Sequence, residues 1–172
     1  RPLVAISAAS NTGVSVHMPH PERVGADRIA NAVAARDRYG SPVVVVDFGT
    51  ATNIDVVDDS GAYRGGAISP GLMLSANALF ERAAKLSSIP IEAPASALGD
   101  DTESAVQSGL VIGAAAQAEG LVARILQEPG IDGAKIIATG GLAKTVSVAT
   151  DVFDVVDPEL TLRGIYLIWK RG

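Results

Sequence analysis

The chain contains no cysteine, which excludes disulfide bonds and metal sites built on thiolates. Aromatic residues are scarce as well, with three phenylalanines, three tyrosines and one tryptophan among 172 residues. No apolar run approaches the ~20 residues that span a bilayer, and no signal peptide opens the sequence. We therefore expect a cytoplasmic protein with no membrane partner. The formal net charge of −5 also disfavours nucleic acid as a main partner.

Small and aliphatic residues dominate the composition instead. Glycine occurs 18 times, and hydrophobic residues make up 48% of the chain, which suits helices packed tightly on a sheet. A chain of this length forms one domain, or one and a part, and buries about 70% of the surface that it exposes when unfolded. The composition therefore predicts an α/β fold with a substantial core.

The most informative stretch is VVVVDFGTATN at residues 43–53. Its four consecutive valines predict a strand that is buried on both faces. Asp47 ends this strand and could hold a cation or orient water, while Gly49, Thr50 and Thr52 offer backbone N–H groups and hydroxyls to a phosphate. Alternation then resumes as a second strand. The stretch indicates a phosphate-binding hairpin or, equally well, a plain hairpin turn with a solvated aspartate.

Hydrophobic periodicity predicts the order of the other elements. We expect helices over 29–38, 72–85, 102–127, 142–149 and 161–170, and strands over 3–6, 43–46, 54–57, 63–68, 89–93, 135–139 and 152–156. Three of these strands follow one another with tight turns, which indicates an antiparallel meander.

The long predicted helix carries a ridge of small residues on one face, namely Gly109, Gly113, Ala116 and Gly120, at helical spacing. Each glycine inside a helix costs up to ~1 kcal/mol relative to alanine, so we expect this face to approach another backbone closely. That backbone belongs either to the chain's own sheet or to a second subunit.

Seven ordered segments, spread over nearly the whole chain, carry the most specific signal. They are ERVGADRIANAVAA at 22–35, DFGTAT at 47–52, GGAISPG at 65–71, ALFER at 78–82, TESAVQSG at 102–109, ATGG at 138–141 and DPELTL at 157–162. Together they resemble the type III pantothenate kinases, members of the superfamily of acetate and sugar kinases, Hsp70 and actin.

This resemblance implies a function and a fold. Such kinases phosphorylate pantothenate with ATP in the first step of coenzyme A synthesis, require Mg²⁺ and a monovalent cation (K⁺ or NH₄⁺), and form homodimers. The implied fold is an actin-like or ribonuclease H-like lobe, a mixed five-stranded sheet with helices on both faces, over residues 41–172. Residues 1–40 would be a remnant of a first lobe that includes the helix of the GADR motif. The alternatives are a non-catalytic regulatory homologue and another phosphotransferase of the superfamily.

One family feature has no counterpart in these 172 residues. The family opens on an Asp-x-Gly-Asn-Thr loop that forms half of the ATP phosphate site. Because donors positioned in advance supply most of this kind of catalysis, we expect this chain alone to be inactive.

The resemblance also implies site residues on the substrate side. Gly25, Ala26, Asp27 and Arg28 would contact pantothenate, with Asp27 accepting the hydroxyl proton and Arg28 binding the carboxylate. Thr102 would contact pantothenate across the dimer interface. From the residues alone, the favoured interpretations are a plain acid in a first helical turn for Asp27 and a helix N-cap for Thr102. Arg28 could equally be a structural ion-pair partner.

The implied contacts with ATP and cations lie further along the chain. The phosphate and nucleotide contacts would be Gly49, Thr50, Thr52, Gly66, Gly140 and Gly141, and Asp47 would hold the monovalent cation. Gly66 has an alternative explanation as a bulge or a tight strand crossing.

Overall fold

The computed structural model describes residues 5–82 and 89–171. The strand expected over 3–6 and the end of the helix expected over 72–85 fall partly outside these residues. In the part of the chain so described, no helix is long and apolar enough to cross a membrane.

A five-stranded mixed sheet forms the centre of the fold. Its strands are β1 (Val43–Phe48), β2 (Ala51–Val57), β3 (Tyr63–Pro70), β4 (Lys135–Thr139) and β5 (Val155–Val156), in the order β3-β2-β1-β4-β5. The first three strands are antiparallel neighbours, whereas β4 runs parallel to both β1 and β5. The mixed five-stranded sheet and its meander are therefore confirmed.

Six α-helices surround this sheet among the described residues. They are α1 (Ala26–Tyr39), α2 (Leu72–Arg82), α3 (Thr102–Gln107), α4 (Gly113–Ile125), α5 (Ala143–Ser147) and α6 (Leu160–Arg171). A π-helical turn over Ser108–Ile112 joins α3 to α4, so the long predicted helix exists but is not uniformly α-helical.

The strand predicted over 89–93 was wrong. Residues 89–94 form no ladder, and they include Pro90 and Pro94, which have no N–H to donate to a neighbouring strand. Glu92 N instead donates to Pro90 O within a local turn.

The core has one layer on each face of the sheet, because alternate residues of β1 point in opposite directions. Val44, Val46 and Phe48 pack with the buried residues of α4 and α5, whereas Val43 and Val45 pack with those of α1 and α6. This arrangement explains the run of four valines, all of which are fully buried.

Helices α1 and α6 approach each other to backbone contact. A Cβ on Gly164 would collide with the carbonyl oxygen of Ala30, so only glycine fits at this crossing. The start of α6 is anchored by Asp157, whose Oδ2 accepts hydrogen bonds from Arg38 Nη1 at 2.9 Å and from Tyr39 Oη at 2.8 Å. The two helices therefore form one packed unit on one face of the sheet.

We predict that Gly164→Ala lowers the free energy of unfolding by ~1–3 kcal/mol, because the added methyl overpacks the helix crossing. The measurement is urea denaturation. Leu162→Ala is the matched control, since Leu162 lies on the same helix α6 and is 70% exposed. Equal stability of Gly164→Ala and the wild type would contradict the packing described above.

Candidate active site

Several of the predicted phosphate contacts meet at one edge of the sheet. Asp47 on β1 and Thr139 on β4 are register partners of parallel strands, so the loops that follow these two strands lie side by side. Gly49 and Thr50 form the turn after β1, and both are exposed. We refer to this region as the Asp47 edge.

Gly140 brings the loop after β4 directly against the end of β1. Its φ of +93° is in the left-handed region, and a Cβ would lie 2.5 Å from Asp47 Oδ1 and 2.7 Å from Phe48 O. A side chain is therefore excluded on both conformational and steric grounds. Gly141 follows and is exposed, while the neighbouring Thr139 Oγ1 is buried and has no hydrogen-bond partner among the described residues.

The Asp47 carboxylate is held from the side of α1. Asn31 Nδ2 donates to Asp47 Oδ2 at 2.8 Å, and Thr161 Oγ1 donates to Asn31 Oδ1 at 2.6 Å. Burial raises the pKa of the Asp47 carboxyl, the Asn31 hydrogen bond opposes this rise, and the negative charge of Asp27 adds to it. Asp47 Oδ1 faces Gly140.

Asp27 lies in the first turn of α1, which begins after Gly25 in an extended conformation. Its carboxylate is exposed, and its Oδ1 accepts a hydrogen bond from Arg28 N at 2.9 Å. The charge of Asp27 is close enough to influence both Asp47 and Tyr63. The structure thus brings the catalytic candidate to the Asp47 edge.

Arg28 forms a structural ion pair, which was the alternative to a role in binding the substrate carboxylate. Arg28 Nε donates to Asp55 Oδ1 at 2.7 Å, and Tyr63 Oη donates to the same oxygen at 2.7 Å. The guanidinium carbon also lies 5.8 Å from the centre of the Tyr63 ring, a cation–π arrangement. Arg28 Nη2 and Asp55 Oδ2 are buried and have no hydrogen-bond partner in residues 5–82 and 89–171.

Asp55 is the most deeply buried acid of this group, with 0% of its side chain exposed. Burial raises the pKa of its carboxyl to about 6, against the opposing charge of Arg28. The pKa of Tyr63 is also raised, by burial and by the nearby charge of Asp55. The Asp55 carboxylate, the Arg28 guanidinium and the Tyr63 hydroxyl therefore form one hydrogen-bonded cluster beneath the first turn of α1.

Two other candidates, Gly66 and Thr102, lie on separate surfaces. Gly66 pairs with Asp55, two rungs from the Asp47 edge, and a Cβ there would collide with Ile54 O, which fits its explanation as a tight strand crossing. Thr102 is not an N-cap, because Asp101 takes that position and accepts a hydrogen bond from Ser104 N at 2.7 Å. Thr102 instead lines an open groove of about 740 Å³. Thr52 is buried on β2 opposite Phe48.

The ridge of small residues does not pack on the chain's own sheet within the described residues. A Cβ on Gly109 or Gly113 would meet no described atom within 4 Å, and Ala116 is exposed. The buried residues of α4, among them Ala115 and Val122, lie on the opposite side of the helix. Contact of the ridge with a second subunit is therefore the interpretation that remains to be tested.

Metal ligands are sparse where the structure describes the chain: no three His, Asp or Glu side chains there are grouped to hold a metal ion. Asp47 offers a single carboxylate to a cation. Any cation at this edge would need further oxygen ligands from phosphate, backbone or water.

Sequence reasoning assigned no role to Asp55, Tyr63 and Thr161. An acid inside an otherwise apolar strand, IDVV at 54–57, was a signal that Asp55 needs a buried partner. Asn31 lies one turn after Asp27 on α1, and that spacing was the only sign of its place beside the site.

We predict a pH-dependent stability difference between the wild type and Asp55→Asn. Because the folded pKa of about 6 exceeds the ordinary 3.8, the folded chain binds this proton more tightly, and stability falls as the pH rises through this window. Between about pH 4 and pH 6 the wild type should lose roughly 1–3 kcal/mol relative to the variant. Denaturation curves at a series of pH values measure this, and a difference independent of pH would contradict the assignment.

Comparison with known proteins agrees with the sequence resemblance. A family model described as type III pantothenate kinase matches residues 1–124. A type III pantothenate kinase of Agathobacter rectalis is 46% identical over 171 residues, which are 99% of this chain and 65% of that protein. The chain thus spans slightly less than two thirds of that relative's length.

A solved structure from Campylobacter jejuni, provisionally described as a conserved Baf family transcriptional activator, superposes with a TM-score of 0.61 at 24% identity. The match covers 87% of this chain and 65% of the Campylobacter jejuni chain. This likeness concerns the fold alone. By the family model and the bacterial relative, the chain belongs to the type III pantothenate kinase family.

Proposed function

We propose that this chain takes part in the ATP-dependent phosphorylation of pantothenate to 4'-phosphopantothenate, the first step of coenzyme A biosynthesis. The observation that carries the proposal is the meeting of the GADR turn of α1 with the Asp47 edge, where exposed Asp27 lies within electrostatic reach of Asp47. Phosphoryl transfer needs a positioned hydroxyl beside a phosphate site more than it needs a strong base.

On the substrate side, Asp27 orients the pantothenate hydroxyl and takes its proton late in the transfer. Gly25 and Ala26 let the substrate approach the helix start, and Arg28 binds the carboxylate. The support for this role is that Arg28 Nη2 has no acceptor among the described residues, and that a guanidinium fork can bind more than one carboxylate.

On the nucleotide side, Gly49, Thr50 and Thr52 contact phosphate, and Gly140 and Gly141 form the loop towards the nucleoside. Gly66 contributes indirectly, because the absence of a side chain lets β3 run close to the backbone of Ile54 on β2. Asp47 holds K⁺ or NH₄⁺, and ATP arrives with Mg²⁺. The partly buried, hydrogen-bonded carboxylate of Asp47 supports a site for a weakly held cation.

The proposed architecture is that of the family. Residues 41–172 form the second, actin-like or ribonuclease H-like lobe, and residues 1–40 bring α1 onto its face; three antiparallel strands followed by two parallel ones support this topology. The protein acts in the cytoplasm. Because the chain spans 65% of its relative, ligand binding without turnover is the second candidate for these 172 residues alone.

A homodimer is part of the proposal. The ridge of small residues on the π-helical turn and α4 meets the same ridge of a second subunit, and Thr102 at the start of α3 reaches pantothenate across this interface. Gly109 contributes to both features, since it belongs to the ridge and lines the groove beside Thr102.

We predict that Asp27→Asn lowers kcat by a factor of about 10² or more in the full product of the gene, because a positioned acid–base group is lost. The assay follows transfer from ATP to radiolabelled pantothenate. Asp37→Asn is the matched control, as Asp37 lies on the same helix and pairs with Arg163 at 3.1 Å. A near-normal kcat for Asp27→Asn would contradict a catalytic role and leave Asp27 as a plain acid in the first helical turn.

We predict that Gly113→Leu converts a dimer into a monomer, since the new side chain overpacks the close contact between the ridges. Sedimentation equilibrium compares the two proteins, and circular dichroism checks that the variant remains folded. Glu119→Leu, placed roughly 90° from the ridge around α4, should stay dimeric. A monomeric wild type would refute the interface.

A further inference from the structure

A buried chain of hydrogen bonds joins three elements that are distant in sequence. Thr161 on α6 donates to Asn31 on α1 at 2.6 Å, and Asn31 donates to Asp47 on β1 at 2.8 Å. Asn31 is 1% exposed, so water cannot easily replace either partner. This series of hydrogen bonds ends at the Asp47 carboxylate, whose Oδ1 faces Gly140.

The direction of these hydrogen bonds follows from the chemistry of the groups. An ionised carboxylate only accepts, so Asn31 must present its NH₂ group to Asp47. The carbonyl oxygen of the same amide then faces Thr161, which must donate its hydroxyl proton. Asp47 therefore determines which way the Asn31 amide faces, because the reversed amide would set an oxygen against the carboxylate. The Thr161 hydroxyl, which can donate, adds the hydrogen bond that holds the amide in this orientation.

Close packing of the two helices makes this contact possible. Gly164 lies one turn after Thr161 and touches the backbone of Ala30, the neighbour of Asn31. A larger residue at 164 would push α6 away and lengthen the bond between Thr161 and Asn31. The hydrogen-bonded chain is thus a product of the helix crossing, and it transmits the position of α6 to β1.

We propose that Thr161 is a positioning residue for phosphoryl transfer, acting through Asn31 to hold the Asp47 carboxylate with Oδ1 turned towards Gly140. The proposal rests on the function proposed above. Segment 157–162 then has a role at the site as well as in packing. A misplaced Asp47 would disturb the phosphate side of the reaction, and small errors of placement there lower turnover more than substrate affinity.

The experiment compares Thr161→Val, which keeps the shape and removes the hydroxyl, with Thr161→Ser, which keeps the hydroxyl. The first readout is hydrogen exchange of the Asn31 side-chain amide by NMR on this chain. Thr161→Val should accelerate exchange by about 3- to 10-fold, the range that one net hydrogen bond represents. Thr161→Ser should match the wild type.

The second readout is kinetic and uses the full product of the gene. Thr161→Val should lower kcat by about tenfold with the KM for pantothenate unchanged within about twofold, and Thr161→Ser should restore kcat. Thr150→Val is the matched control, because it removes a hydroxyl that accepts a hydrogen bond from Val152 N and touches neither Asn31 nor Asp47. It should leave both readouts unchanged.

The two readouts separate failure of this inference from failure of the proposed function. A wild type without pantothenate phosphorylation refutes the function, while amide exchange still decides whether Thr161 holds the Asn31 amide in its orientation. An active wild type with unchanged exchange or unchanged kcat in Thr161→Val overturns the positioning role. If Thr161→Val does not fold, Thr161→Ala provides the same test under the same criteria.

Discussion

The arrangement of the site depends on keeping the Asp47 carboxylate charged at the end of a fully buried strand. Burial works against that charge, since a buried ion must be compensated by hydrogen bonds or opposite charge. The compensation comes from Asn31, whose own carbonyl needs Thr161. Helices α1 and α6 must therefore pack at backbone distance, which Gly164 permits. The hydrogen bonds that compensate this carboxylate thus depend on the crossing of two helices on that face of the sheet.

Two further acids, Asp27 and Asp55, lie within electrostatic reach of Asp47. Asp55 and Arg28 compensate each other below the surface, with Tyr63 sharing the acceptor oxygen. Two acids remain to face a ligand that itself carries phosphates. Like charges that lie close together repel each other. This electrostatic situation supports the proposed use of cations at the Asp47 edge, since a phosphate would approach it poorly alone.

Local patterns predicted the parts of the structure that depend on neighbouring residues. Four valines followed by an acid and a glycine predicted β1 and its hairpin, and helical spacing predicted α1 and α6. Long-range partnerships had no such signal: Asp55 lies 27 residues from Arg28, and Thr161 lies 130 residues from Asn31. The π-helical turn over Ser108–Ile112 is only five residues long, which is too short for periodicity alone to reveal a change of helix type.

The most direct test of this account is a crystal structure of the full gene product with pantothenate and a non-hydrolysable ATP analogue. The account predicts the pantothenate hydroxyl within about 3 Å of an Asp27 carboxylate oxygen, a hydrogen-bond distance. It also predicts the substrate carboxylate on Arg28 Nη2 and the terminal phosphate at the turn that follows β1. Pantothenate bound away from the first turn of α1, or Asp27 turned towards solvent in that complex, would contradict it.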